Sequence, residues 1–208
     1  MNKQESPPSP AGGFVLAGGA SRRMGQNKAL LEINGEPLFL RAANLLKAYV
    51  SPVILLGAPD QYAWYGFPTL RDRWPGRGPL AALLTGLEHS ADEWNIFLAC
   101  DLPLLPGEFI GLLLRRAQKS DFDAVVPRTN GRWQPLCAAY RQTCASKMRE
   151  ALEAGKSGVI DVLPDLRVDV ITSEQITAAG LSDEIFENVN TPEDWQNVLP
   201  RIQARASK

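Results

Sequence analysis

The stretch Leu16-Ala17-Gly18-Gly19-Ala20-Ser21-Arg22-Arg23-Met24-Gly25-Gln26-Asn27-Lys28 gathers glycines, two arginines and a lysine directly after the apolar run Gly13-Phe14-Val15-Leu16. Glycine lets main-chain N–H groups come close to an anion, and the cationic side chains supply countercharge. Strand, glycines and lysine stand in the order a phosphate cradle requires, and a nucleoside triphosphate is the ligand that chemistry implies. An ordinary solvated turn is the plainer alternative, because a short glycine motif is weak by itself. Two better-known cradles are excluded. A Walker loop needs four residues between its glycines and a lysine next, whereas five separate Gly19 from Gly25 and Gln26 follows. Gly18 to Arg23 does not supply the G-x-G-x-x-G of a dinucleotide fold either.

A second candidate is Asp101, directly after the apolar run Asn95-Ile96-Phe97-Leu98-Ala99-Cys100 and ahead of Leu102-Pro103. A carboxylate beyond the carboxyl end of a buried strand is well placed to hold Mg²⁺ against a phosphate. A turn-initiating aspartate before proline is the competing explanation. The segment from Leu70 to Leu80 carries two glycines and three arginines ahead of a helical pattern, either an anion site or a surface loop.

The elements that would hold these residues alternate between apolar runs and helical periodicity, which predicts an α/β fold with a mostly parallel sheet. Strands are expected at 13–16, 53–56, 95–100, 123–127, 136–140 and 168–171. Helices are expected behind Pro37, with Leu38, Ala42, Leu45, Leu46 and Tyr49 on one face, and at 79–88, 109–118 and 144–154. Thr191-Pro192-Glu193-Asp194 reads as an N-cap, a first-turn proline and a third-position carboxylate. Residues 1–12, with Ser6-Pro7-Pro8-Ser9-Pro10, read as a disordered tail, 13–200 as one domain, and 201–208 as a second tail.

Composition narrows the function classes. The 208 residues are 45% apolar and 22% charged, enough for a buried core in one domain. Lys+Arg 22 against Asp+Glu 23 gives no general attraction to nucleic acid or membrane. No run approaches the roughly 18 apolar residues of a membrane span. Cys100, Cys137 and Cys144 are an odd number without a C-x-x-C pair, which argues against a disulfide framework and suits a reducing cytoplasm. Cys100 is expected to be a small buried hydrophobe, and His89 a solvated helix end.

The loop resembles the L-A-G-G-x-S-x-R-M-G-x-x-K signature of the pyrophosphorylase-like nucleotidyltransferases, and most closely that of the molybdenum cofactor guanylyltransferases. The similarity runs from about Phe14 to about Trp195. It is carried also by Ala99-Cys100-Asp101-Leu102-Pro103, by Asp72 with Gly78-Pro79-Leu80, by Gln134-Pro135-Leu136 with Ala138 and Tyr140, and by Asn188-Val189-Asn190-Thr191-Pro192-Glu193. What the resemblance implies is a Rossmann-like three-layer α/β/α fold of the nucleotidyltransferase (glycosyltransferase-A-like) type. It implies GMP transfer from GTP to molybdenum-carrying molybdopterin, with Mg²⁺ as cofactor. Leu16, Ala17, Gly18, Gly19, Lys28, Asp72 and Asp101 would contact the nucleotide, with N–H donors from Gly18 and Gly19. Arg23, Lys28 and Asp101 would act in catalysis, and Asp101 with Asn190 would hold the metal. Arg132, Trp133 and Gln134 would face the acceptor, Trp133 stacking on a ring and Arg132 meeting a phosphate; a core tryptophan at a hairpin mouth is the alternative.

One departure stands out. Family members often carry a nucleotide-contacting asparagine after the second strand, and Leu55-Leu56-Gly57-Ala58 has none. A cytidylyltransferase for the same cofactor, another small-molecule nucleotidyltransferase and a noncatalytic GTP-binding sensor remain alternatives. Gly18-Gly19 and Gln134-Pro135 favour GTP over CTP. Protein partners in cofactor delivery are left open; neither nucleic acid nor a membrane is expected.

Overall fold

The computed structural model describes residues 11–18 and 27–206. Its centre is a run of parallel strands: β1 (Ala11–Leu16) lies between β4 (Val53–Leu56) and β6 (Trp94–Ala99). The edge strand β5 (Thr69–Leu70) extends this group beside β4. On the other side β9 (Cys137–Arg141) runs antiparallel to β6, followed outward by β7 (Ala124–Thr129) and β10 (Val168–Thr172). The sheet order is β10-β7-β9-β6-β1-β4-β5, with the short β8 (Arg132–Trp133) hydrogen-bonded to β7.

Both sheet faces are covered, so β1, β4 and β6 are buried along their whole length. Alternate residues divide between two cores. Val15, Ile96 and Leu98 join Phe39, Leu46 and Phe109 on the face of α1 (Leu38–Lys47) and α4 (Gly107–Gln118). Phe14, Leu16 and Phe97 join Leu80, Leu84 and Met148 under α3 (Gly78–His89) and α5 (Cys144–Glu153). This is the expected three-layer arrangement. Tyr49 departs from its expected place: α1 ends at Lys47, and Tyr49 lies beyond it, 37% exposed.

The smaller elements were not anticipated. The hairpin of β2 (Glu32–Ile33) and β3 (Glu36–Pro37) turns at Asn34-Gly35, both at positive φ. Asn130-Gly131 turns β7 into β8 the same way. An Asn-Gly pair is the strongest short-range hairpin signal in a sequence, because both residues tolerate that backbone region. Two short helices, α2 (Pro59–Tyr62) and α6 (Ser173–Ala178), carry too few residues to show a periodicity. The last helix, α7 (Pro192–Ala206), begins as expected but continues into residues read as a tail, just as β1 begins at Ala11 rather than Gly13. Thr191 Oγ1 accepts from Asp194 N at 3.1 Å, and Asp194 Oδ2 accepts from Thr191 N at 2.9 Å, a reciprocal cap.

A third apolar cluster sits at one end of the sheet. Ile33 and Leu38 from the hairpin region pack with Leu104, Val189, Val198 and Ile202. It joins segments that are distant in sequence and that each lead to the site below.

Candidate active site

The chain passes from β1 to β4 and β5 on one side, then returns to β6 on the other. That reversal opens a crevice at the carboxyl ends of β1 and β6, where ligands collect in open α/β sheets. Leu16 pairs with Ala99 across it. The glycine-rich segment therefore leaves one lip and Asp101 the other.

Lys28 comes back to this crevice on a short 3-10 turn, Lys28–Leu30, capped by Asn27 Oδ1 accepting from Ala29 N at 3.1 Å. Its ammonium donates to Asp101 Oδ2 in a short ion pair and to Asn190 Oδ1 at 3.1 Å. The backbone adds a further tie, Val189 N to Asp101 O at 2.9 Å. Three polar side chains from three distant segments thus meet, each adjoining the third apolar cluster: Leu31 and Ile33 follow Lys28, Leu104 follows Asp101, and Val189 precedes Asn190. The Asp101 side chain is 12% exposed. Its Oδ1 is buried without a hydrogen-bond partner among the described residues.

Because β9 runs antiparallel to β6, the residues ahead of β9 arrive at this same edge. Leu98 pairs with Cys137, and Leu136 O accepts from Ala99 N at 2.7 Å. Gln134 is held by its N–H to Pro127 O at 2.9 Å and by its amide to Thr129 Oγ1 at 3.3 Å. Two clefts meet there, sharing Trp133, Gln134, Asn188 and Asn190. One, about 560 Å³, contains Asp101 and is walled by apolar residues including Pro79 and Ile160. The other, about 740 Å³, is lined by polar groups including Asn130, Arg132, Asp183 and Asn197. Trp133 is half-buried, packed against the core with the Arg128 guanidinium 5.1 Å from its ring centroid.

Other expected residues differ in what they can offer. Leu16 and Ala17 have buried side chains, so only their main chain is available to a ligand. The Gly18 N–H, expected as a phosphate donor, instead donates to Leu56 O at 3.0 Å, as does the Ala17 N–H. What Gly18 supplies at this lip is an exposed backbone without a side chain. Gly19 and Arg23 lie outside the described residues. Asp72 lies just past the carboxyl end of β5, where its Oδ1 accepts from Trp74 N at 2.9 Å and from the buried Thr85 hydroxyl at 3.3 Å. The three arginines around it are engaged with protein: Arg71 with Asp60, Arg73 with Glu88, and Arg77 with Leu152 O. This weakens the case for an anion site in that loop.

Gly57 lies in the stretch that lacks the asparagine. A Cβ there would stand 2.8 Å from Tyr62 Cε2 and 3.4 Å from Gly18 N, so any side chain at Gly57 would require the buried Tyr62 ring to shift. Cys100, one residue from Asp101, is buried, and that burial chiefly, with the neighbouring Asp101 charge, pushes its thiol up to about 12. It is not a nucleophile near neutral pH.

The sequence profile of the MobA-like NTP transferase domain matches residues 13–169. The chain belongs to that family. Among its relatives is a probable molybdenum cofactor guanylyltransferase from Carboxydothermus hydrogenoformans, 37% identical over 185 residues, covering 89% of this chain and 93% of the relative. A protein of the same description from Pelotomaculum thermopropionicum is 36% identical, over 95% of each chain. Molybdopterin-guanine dinucleotide biosynthesis protein A from Archaeoglobus fulgidus shares the fold with a TM-score of 0.76 at 24% identity, over 94% of this chain and 98% of that one. The family match includes Lys28 and Asp101 and stops short of Asn190, which only the folded chain brings alongside them.

Proposed function

We propose that this protein transfers GMP from GTP to the terminal phosphate of molybdopterin carrying molybdenum, releasing pyrophosphate. An acceptor phosphate oxygen attacks the α-phosphorus and forms the new P–O bond. The bond from that phosphorus to the bridging oxygen breaks, and pyrophosphate leaves with the electron pair. The attacking phosphate is already an anion at neutral pH, so no general base is required. Catalysis then rests on positioning and charge neutralisation. The convergence of Lys28, Asp101 and Asn190 beside the shared clefts carries this reading, together with the descriptions of the relatives.

Lys28, with Arg23, neutralises the triphosphate in this proposal. Asp101 and Asn190 suit Mg²⁺ chemically: the orphaned Asp101 Oδ1 is a hard oxygen donor, and the Asn190 amide oxygen is another. Mg²⁺ takes one or two carboxylates together with substrate phosphates, so a small protein donor set is sufficient. When bound, the cation offsets charge on the departing pyrophosphate. Leu16, Ala17, Gly18, Gly19 and Asp72 border the nucleotide, the first two through main chain. Arg132, Trp133 and Gln134 face the acceptor. The functional unit includes the start of α7, because Asn190 lies two residues ahead of it. A cytoplasmic location goes with this function.

The test is pyrophosphate release with Mg²⁺, molybdenum-loaded molybdopterin and either GTP or CTP. GTP-dependent release supports the proposal. Turnover with CTP alone would replace it by the cytidylyl alternative, and tight GTP binding without product from this acceptor would favour the sensor.

A further inference from the structure

We propose that Tyr62 is a positioning residue for Lys28, its hydroxyl tying the chain that leaves β1 to the turn that delivers Lys28. The Tyr62 hydroxyl donates to Ala17 O at 2.6 Å and accepts from Asn27 Nδ2 at 3.2 Å. Ala17 stands just before the segment 19–26, and Asn27 just after it. One oxygen therefore contacts both ends. A phenol can do this because it is donor and acceptor at once.

The hydroxyl is itself held firmly. Tyr62 is 1% exposed, and its ring tilts against Phe39 with centroids 4.7 Å apart. Gly57 leaves room for that ring, since a Cβ there would stand 2.8 Å from Cε2. Burial pushes the phenol upward from its ordinary value, which keeps the proton in place across the working range. Asn27 continues the connection: its Nδ2 also reaches Gln61 Oε1 at 3.1 Å, while its Oδ1 caps the turn bearing Lys28. A line of hydrogen bonds runs from Ala17 through Tyr62 and Asn27 to Ala29 N, in the turn whose first residue pairs with Asp101.

The consequence is energetic. A Lys28 turn already fixed to the end of β1 loses less conformational freedom when its ammonium meets a polyphosphate, so more of the contact energy is available for binding. Ground-state and transition-state complexes gain equally, so the effect falls on nucleotide affinity and KM while kcat changes little. This inference rests on the proposed nucleotide site and adds a residue that touches neither substrate nor metal.

Tyr62→Phe keeps the ring and removes only the hydroxyl. Calorimetric titration with GTP and Mg²⁺ should give a Kd about five- to twentyfold higher than wild type, as expected for loss of one or two hydrogen bonds. The KM for GTP should rise in parallel, with kcat within about twofold of wild type. Asn27→Ser retains a neutral capping oxygen for the Lys28 turn but is too short to reach Tyr62. It should shift affinity in the same direction, and the double variant should be no worse than the poorer single one. An unchanged Kd in Tyr62→Phe, a fall in kcat at constant KM, or fully additive losses in the double variant would each overturn the tie. Wild-type protein that binds no GTP would overturn the function proposal, and this inference with it.

Discussion

Lys28 and Asp101 compensate one another in a site where neither is fully solvated, with side chains 24% and 12% exposed. An unpaired charge in such a place is costly, which is one reason the two approach so closely. In the proposed reaction the same pair would set a cation and a carboxylate beside the triphosphate. If the proposed function holds, Asp101→Ala should lower pyrophosphate release by about a hundred- to a thousandfold, the range for a transition-state electrostatic contact. The far-ultraviolet circular dichroism should be unchanged. Near-normal turnover with Mg²⁺ would remove Asp101 from its role. Both residues could be read from the chain, Asp101 because it directly follows a continuous apolar run and Lys28 because it closes the glycine-rich loop that follows another. Tyr62 could not, since a tyrosine in Asp60-Gln61-Tyr62-Ala63 gives no hint that its hydroxyl reaches Ala17.

At the level of elements, α7 contributes by packing. Val198 and Ile202 close the apolar cluster that also contains Val189, the neighbour of Asn190, and Leu104, three residues past Asp101. Ile202→Ala should lower stability by about 2–4 kcal/mol, the usual range for a truncated core aliphatic. Urea denaturation checks it, and a loss below about 1 kcal/mol would mean the cluster is not cooperative with the main fold. The cap on α7 was legible as Thr191 through Asp194, and the two Asn-Gly hairpin turns carried a signal that helical and strand periodicity masked. A second element-level contact joins the starts of β7 and β10. Asp123 accepts from Arg167 through both oxygens, at 2.9 and 3.0 Å, and pairs with Lys147 at 3.7 Å. The Arg167 side-chain hydrogen bond, above all, holds the Asp123 carboxyl below its ordinary 3.8. A depressed folded value means the stabilisation is present above about pH 4 and fades as pH falls through the lowered value. Asp123→Asn should therefore be less stable than wild type at pH 7, and the gap should narrow below pH 4 or so. A constant gap in thermal unfolding across that range would contradict this.

For the molecule as a whole, the layered architecture decides what is reachable. All three thiols are buried, at 5%, 1% and 1% exposure for Cys100, Cys137 and Cys144. Desolvation raises each of them, Cys100 and Cys144 to about 12. Folded protein at pH 8 should react with no thiol reagent on the minute timescale, and denatured protein at three positions. Rapid labelling of any one in the folded state would show that the sheet faces open more readily than this packing allows. The same two-sided burial made the architecture readable in advance: runs such as Ile96-Phe97-Leu98-Ala99 are apolar throughout because both faces are covered.

By itself the chain determined the strand–loop–strand grammar, the cationic glycine segment, the carboxylate after β6 and the family they resemble. Those features are local, written in adjacent residues whose periodicity and chemistry need no partner. The resemblance set Asn190 beside Asp101; tertiary structure added that both accept from the ammonium of Lys28, 162 positions from Asn190. It also turned the Gly18 N–H toward Leu56 and brought Tyr62 beneath both stems of the segment. The physical reason is that strand order and the packing of a satellite core set which distant side chains meet, and neither is encoded in any short window of sequence.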